Sequence, residues 1–455
     1  MFMIHQIFQK CQQNVMEYFL AGLKRFDEAE QFLSQCVNDL FCQILGAYLE
    51  SLDCAIRDDR VGRMEAGLLL VKGQVSRQIQ TKHGTISYQR AYYQDKQDKR
   101  RLYVVDELVG IQPYQRLGNA FEDEVVGQAL HMSYEKASKT FAPASSLSRQ
   151  TVMNKLRRAV PVTGDAMPAR KVSVLHVDAD EAHVKVRNKN GSIVPLISVY
   201  EGIHDGACHN IFHVSEYGKK PEELWEQALA SMEERYFLEE TVVYLHGDGG
   251  AWIQQGMEWL PHARFVLDKY HKNKYLGKLC HPIDSKKERK AVRKKLKAML
   301  GKGDTEGFSR EVEQLCNRLP EQEEGIRKAA AYLANHIEGI HICEVEEEAN
   351  HGGCTEGHVS HILSVRLSTR PMAWSETTLK AIAPLLACQG KIHVVHKNRR
   401  DGAQENLASL CQRAVTKIKQ KHTRGMAEAD SIGTVPLLSM GKGSWLRDAL
   451  LGLAG

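Results

Sequence analysis

Four acids are placed where they could do phosphoryl chemistry. Asp178 and Asp180 close an apolar run, Val174-Leu175-His176-Val177-Asp178-Ala179-Asp180, and Asp248 closes another, Val242-Val243-Tyr244-Leu245-His246-Gly247-Asp248. A carboxylate at the C-terminal edge of a strand is positioned by the sheet, with its side chain free of the core. Two such carboxylates from neighbouring strands suit a hard cation such as Mg²⁺, which takes oxygen ligands and keeps several waters. Two ions about 3.5–4 Å apart can stabilise the attacking and leaving oxygens of a phosphodiester displacement. A third acid completes such a site, and Glu356 is the candidate. In a helix starting near Thr355 it shares a face with Val359 and Leu363, so it is expected to point at the sheet.

The elements around these acids read as α/β from Val172 onward. Strands are expected at Val172–Val177, His183–Arg187, Val194–Tyr200, Thr241–Leu245 and Ala263–Leu267, with a helix over Pro221–Tyr236 opened by proline in its first turn. Upstream, residues 1–72 carry helical spacing. Residues 73–93 hold two β-rich runs around Lys82-His83-Gly84, which predicts a hairpin. Met132–Phe141 and Ser148–Arg158, separated by a turn containing Pro143, have the pattern of a helix-turn-helix, with Val152 and Leu156 inward. Its second helix would offer Arg149, Gln150, Asn154, Lys155 and Arg158 to a major groove.

Composition excludes several classes. Of 455 residues, 43% are hydrophobic and 26% charged, ordinary for a globular protein. No run of 18 apolar residues exists, so no spanning helix is expected. No basic, apolar leader opens the chain, and eleven cysteines without a CxxC read as reduced thiols. A cytoplasmic setting, with no membrane partner, is the expectation. The net charge of +5 is a sum of unlike pieces: +11 over Lys269–Lys302 (13 basic, two acidic), −8 over Gly303–Asn350 (four basic, 12 acidic) and +7 over Lys391–Arg424 (nine basic, two acidic). Two basic blocks in one chain point to a polyanion partner.

Several motifs resemble DDE transposases of bacterial insertion sequences, of the ISLre type, and more distantly the Mutator-like superfamily. The blocks that carry the resemblance are Asp180-Glu181-Ala182-His183-Val184-Lys185-Val186-Arg187, Gly247-Asp248-Gly249-Gly250-Ala251-Trp252-Ile253, Asp268-Lys269-Tyr270-His271 and Cys354-Thr355-Glu356-Gly357-His358-Val359-Ser360-His361 continuing to Arg366 and Arg370. The resemblance implies an RNase H-like mixed sheet with flanking helices, over 170–275 and 351–455, interrupted by an all-helical insertion over 276–350. N-terminal to it would lie a helical region (1–72), a β-hairpin region (73–117) and the helix-turn-helix (118–165). It implies Asp180, Asp248 and Glu356 as the catalytic, metal-binding acids, with Asp178 as the alternative first acid and Asp268 and His271 in support. Arg366 and Arg370 would bind backbone phosphate, and Trp252 would stack on an unpaired base. The cofactor would be two Mg²⁺ ions, for which Mn²⁺ can substitute. The partners would be the element's terminal repeats and target DNA, bound near the nucleoid by a homodimer, since a synapse of two ends needs two catalytic centres.

Two other readings compete. His351, Cys354, His358 and His361 are close in sequence and could bind zinc in a hydrolase, although the spacing matches neither HExxH nor CxxC. A non-catalytic DNA-binding regulator would need only the helix-turn-helix and the basic blocks, and would leave the three acids without a shared role.

Overall fold

A computed structural model describes residues 2–142, 144–162, 168–189, 191–369, 372–396, 407 and 409–420. Pro143, Arg370 and most of the C-terminal basic block lie outside them. The chain divides into two compact units: 1–122 with 138–148 and 396–455, and 123–137 with 149–395.

In the first unit, helix α1 (Phe2–Leu20) packs on the longer α2 (Phe26–Asp58), and strands β1 (Leu68–Thr81) and β2 (Gly84–Asp95) form an antiparallel hairpin edged by β3 (Arg101–Leu102). The apolar Leu68–Val71 belongs to β1, not to a helix as its sequence neighbourhood implied. It pairs non-locally with Gln94 and Asp95, and that pairing decides its state. Gly84 turns the hairpin at φ +132°, a backbone angle that glycine adopts without strain. Leu49, Leu52 and Ile56 of α2 close the core over Ile79, Ile86, Tyr88 and Tyr93.

The second unit is built on a five-stranded mixed sheet. Its strands are β4 (Val174–Val184), β5 (Ser192–Tyr200), β6 (Phe212–Val214), β7 (Val242–Gly247) and β8 (Ala263–Leu267), in the order β6-β5-β4-β7-β8. The first three form an antiparallel meander; β7 runs parallel to β4, and β8 parallel to β7. The two strands expected at 172–177 and 183–187 are one long β4, because β5 pairs with it without interruption from His176 to Val184. Asp178 and Asp180 therefore lie within a strand rather than at its end. Before the sheet come α3 (Tyr134–Lys139) and α4 (Arg149–Leu156).

Alternation gives the sheet two unlike faces. Leu175, Val177 and Ala179 of β4, Ile197 and Val199 of β5, and Val243 and Leu245 of β7 point to one side. There they pack with Leu224, Trp225, Ala228 and Met232 of α5 (Pro221–Glu233). The opposite side carries His176, Asp178 and Asp180, Ser198 and Tyr200, His213, and Tyr244 and His246.

After β8 the chain builds five helices: α6 (Lys269–Cys280), α7 (Lys286–Gly301), α8 (Thr305–Arg318), α9 (Glu323–Asn335) and α10 (Ile337–Val345). Asp268, Ser285 and Asp304 cap the first three by accepting from His271, Glu288 and Gly307 amides. Leu276, Leu296, Leu300, Phe308, Ile326 and Leu333 anchor their common core. The chain then returns across the sheet, forms α11 (Thr355–Val359), a π turn over Ser360–Ser364 and a last turn Val365–Leu367, and ends this unit with α12 (Glu376–Cys388).

Candidate active site

The sheet register aligns the acids. His246 of β7 stands opposite Asp178 of β4, and Gly247 opposite Leu267 of β8. Two residues beyond the first pair, Asp180 and Asp248 fall level with one another, and one residue beyond the second, Asp268 joins the row. The Asp268 amide still donates to the Gly247 carbonyl at 3.0 Å, which holds the row together past the end of β8.

Asp178 and Asp180 have different fates. Asp178 is buried at 1% exposure, and its carboxylate is fully engaged. The Tyr200 hydroxyl donates to it at 3.0 and 3.1 Å, the Cys354 amide at 2.8 Å, and His358 Nδ1 lies 3.1 Å away. Burial alone would raise this carboxyl, but the neighbouring His358, His246 and Tyr200 together hold it below the ordinary range. Its lone pairs are occupied by the protein, so Asp178 anchors the Cys354 loop and is not available to an ion. Asp180 is half-buried, and one oxygen accepts from the Glu181 amide at 2.8 Å. Burial, reinforced by the negative charges of Glu181, Asp248 and Glu356 and opposed by that amide, pushes its carboxyl up to about 6. Asp180, not Asp178, thus shares its field with Asp248 and Glu356.

Asp248 is held by its own turn. One carboxylate oxygen accepts from the Gly250 amide at 2.8 Å, and the Asp248 carbonyl accepts from the Tyr332 hydroxyl of α9 at 2.6 Å. Gly249 sits at φ +83°, and a Cβ there would come within 2.0 Å of His336 Nε2, so no side chain fits at the turn. Trp252 packs half-buried against the apolar core and donates from Nε1 to Glu181 at 2.6 Å. It fixes the acid next to Asp180 and is not free to stack on a base. His271 is held twice by the buried Asp268, through its amide at 2.8 Å and its Nδ1 at 2.9 Å. The Asp268 hydrogen bond and the charges of Asp268 and Asp248, against burial, raise the imidazole and favour a cation beside the acid row.

Glu356 is exposed, whereas Val359 and Leu363 are buried. The inward position expected for Glu356 is not met: within α11 it lies about 60° around the helix from Val359, on the solvent side, and Leu363 follows only after the π turn has shifted the helix phase. The Glu356 charge nonetheless reaches Asp180. Arg366 is buried at 6%. It donates from Nε to the Ala129 carbonyl at 3.0 Å and lies over the Trp374 and Tyr134 rings, which ties it to the protein interior rather than to a phosphate. Arg370 lies outside the described residues. On α4, Arg149, Gln150 and Asn154 are exposed and Lys155 half-buried, while Val152 and Leu156 are fully buried; Arg158, in the turn after the helix, is exposed. The adjoining Arg157 donates to Ser375 and Thr378, which fixes α4 against the start of α12.

The sequence reading missed the polar layer beneath the acids. His176 Nδ1 lies 3.0 Å from His246 Nε2, both rings are buried, and Tyr200 and Tyr244 flank His176 at 5.5 and 5.6 Å. The backbone at Gly352 crosses this pair so closely that a Cβ would be 2.3 Å from His176 Nδ1 and 2.6 Å from His246 Nε2. The signal was present: in two apolar runs, every second position is polar, His-x-Asp-x-Asp in one and Tyr-x-His-x-Asp in the other.

The four proposed zinc ligands do not gather. His351 pairs with Glu348 and His361 is exposed, while His358 Nε2 faces Cys208 Sγ at 3.6 Å. Among the described residues, no group of three or more His, Cys, Asp or Glu is arranged to hold a metal ion. All eleven cysteines are unpaired.

Fold and site together define a mixed α/β protein with acids on one face and edge of its sheet, Asp180 within β4 and Asp248 and Asp268 just past the ends of β7 and β8, beside a buried histidine pair. The chain belongs to the uncharacterised protein family UPF0236, whose model matches residues 21–401. Its relatives include UPF0236 proteins of Caldanaerobacter subterraneus subsp. tengcongensis. One is 30% identical over 453 residues, 96% of this chain and 93% of the relative, and its name joins eleven loci of that genome. A second, joining four loci, is 31% identical over 87% of this chain and 85% of its own length. The family thus occurs in many copies within one genome. No described helix is long and apolar enough to cross a membrane.

Proposed function

We propose that the protein is a DNA transposase of the DDE type, with Asp180, Asp248 and Glu356 as its catalytic acids and an RNase H-like sheet as its scaffold. The observation that carries this reading is that β4 and β7, paired in parallel as far as Asp178 and His246, bring Asp180 and the turn at Asp248 to one edge of the sheet, where the charges of Asp248 and Glu356 act on Asp180. The sheet order, an antiparallel meander followed by two parallel strands, supports the scaffold, and the many genomic copies of relatives support a mobile element.

The three acids fit a hard divalent cation by chemistry: all donors are carboxylate oxygens, and Asp180 feels like charges that a cation would relieve. Binding Mg²⁺ or Mn²⁺ requires the side chains to draw together, Asp180 leaving the Glu181 amide and Asp248 the Gly250 amide. The bound ions would stabilise charge on the attacking and leaving oxygens of the phosphodiester. The remaining tasks belong to the chain. Asp268 orients His271, which presents positive charge to the acid row and to an incoming phosphate. Trp252 fixes the Glu181 carboxylate beside Asp180. Asp178, Tyr200 and the Cys354 amide fix the loop that leads into Glu356. The exposed face of α4, with Arg149, Gln150 and Asn154, and Arg158 in the turn after it, is the surface for base and backbone contacts, and a homodimer supplies the two centres that joining two ends requires.

The test is Mg²⁺-dependent cleavage of the element's own end sequences by the wild type, Asp248→Ala and Glu356→Ala. Loss in both variants, with folding retained by circular dichroism, is expected. Equal cleavage by all three refutes the assignment.

A further inference from the structure

The helical insertion separates its charges by helix. In α7, Lys286, Lys287, Lys290, Arg293, Lys294 and Lys297 are all exposed. At about 100° per residue they fall within roughly 120° of one another, opposite the buried Val292 and Leu296. The other cations of this helix point elsewhere and are engaged. Arg289 donates to the Ile283 carbonyl at 2.9 and 2.6 Å, and Lys295 pairs with Glu311 of α8. The helix's acid, Glu288, is taken by Arg318. Among the described residues, none of the six has an acidic partner; Arg293 reaches only Asn273, at 3.3 and 3.5 Å. That contact ties the face to α6, which carries Lys269, Lys272, Lys274 and Lys278 with no acid and starts at Asp268 and His271. Apart from Glu288, the helical acids of the insertion sit on other helices: Glu306, Glu311 and Glu313 on α8, Glu323 and Glu324 on α9, and Glu338 and Glu344 on α10.

We propose that the exposed face of α7 is a phosphate-backbone track for duplex DNA, continuous through α6 with the acid row. This deepens the transposase reading and rests on it. The face spans about 16 Å from Lys286 to Lys297, roughly half a turn of B-form DNA. It holds no large apolar residue, whereas the centre of a protein–protein interface is aromatic and apolar and poor in lysine. Six cations in a row without an acidic partner match a partner recognised by its regular charge.

The test measures binding of non-specific 30-base-pair DNA by fluorescence anisotropy against salt concentration, in EDTA so that no cleavage enters. The full-length wild type is compared with a variant carrying Lys286→Gln, Lys290→Gln, Arg293→Gln and Lys297→Gln, and with Lys295→Gln from the opposite face. The quadruple variant is expected to lose about 3 to 4 from the slope of log K against log salt, at about 0.9 per phosphate contact, while Lys295→Gln leaves it unchanged. An unchanged slope in a folded quadruple variant overturns the proposal, as does tighter, equally variant-sensitive binding of duplex RNA. If the variant instead abolishes self-association in sedimentation without nucleic acid, the face docks on the acidic helices of a second copy and the proposal fails. The readout is independent of catalysis. A lost slope without end cleavage sinks the transposase reading alone, and end cleavage with an unchanged slope sinks the track alone.

Discussion

Acid should loosen the second unit through the His176–His246 pair. Burial, aided by the charges of His246, His351 and Lys269 and opposed by Asp178, lowers the His176 imidazole from 6.5 to about 3. Nδ1 shares one hydrogen bond with His246, and Nε2 is buried without a partner among the described residues. An orphaned acceptor costs less than an orphaned N–H, so His176 is neutral and donates from Nδ1. The unfolded chain binds this proton below pH 6.5 and the folded chain only near 3, so stability is complete above 6.5 and is lost as pH falls between those values. At pH 4.5 the loss from this group amounts to about 2.7 kcal/mol, two units at 1.36 kcal/mol each. His176→Phe keeps a ring between Tyr200 and Tyr244 but removes the titration. It is expected to cost about 1–3 kcal/mol at pH 7.5, because His246 loses its partner. The gap between variant and wild type then shrinks by about 2.7 kcal/mol by pH 4.5. Urea titrations followed by tryptophan fluorescence at several pH values measure both curves, with Trp225, Trp252 and Trp259 in or against that core as reporters. Parallel curves would refute the claim that His176 is buried neutral.

The same contacts predict other outcomes. Gly352→Ala should destabilise the unit by several kcal/mol, since its Cβ would overlap both histidines; a melting temperature equal to the wild type's contradicts the close crossing. Tyr200→Phe removes the hydroxyl that serves Asp178 and the Gly353 amide and should cost about 1–3 kcal/mol by denaturant titration. Trp252→Phe frees Glu181 and should reduce turnover on end substrates while single-strand affinity stays unchanged; a selective fall in single-strand affinity would return the stacking role to Trp252. Leu296→Ala empties the insertion core and should cost about 2–5 kcal/mol, read as early loss of helical signal on heating.

Much of the sheet was legible because β7 and β8 are short apolar runs ended by Gly-Asp or Asp, and their acids were found from that alone. Asp180 was favoured over Asp178 by the motif resemblance, but the different surroundings of the two were not legible. Choosing between Asp178 and Asp180 requires Tyr200 and Cys354, which are 22 and 176 residues from Asp178 and meet it only once β5 and the returning loop are in place. The continuity of β4 was hidden for the same reason, since its second half is polar and becomes a strand by pairing with β5. The transposase resemblance implied a phosphate ligand at Arg366; its burial depends on Trp374 and Tyr134, which the local sequence does not place. Net charge was informative only in pieces, and the helical period of α7 then turned a block count into a face.

The π turn at Ser360–Ser364 works as a gear between two stretches of one coil. It holds one residue more per turn than the helix on either side, so the chain beyond it is rotated by about 100° relative to an unbroken helix. Glu356 can therefore stand in solvent ahead of it while Arg366 and Leu367 are buried behind it. Deleting a single residue within the turn while restoring ordinary winding would leave Arg366 on the face it now holds, whereas rewinding the same number of residues as ordinary helix would swing it about 100° out of its pocket. The wider winding and the extra residue belong together, and neither can be changed alone without turning the buried arginine.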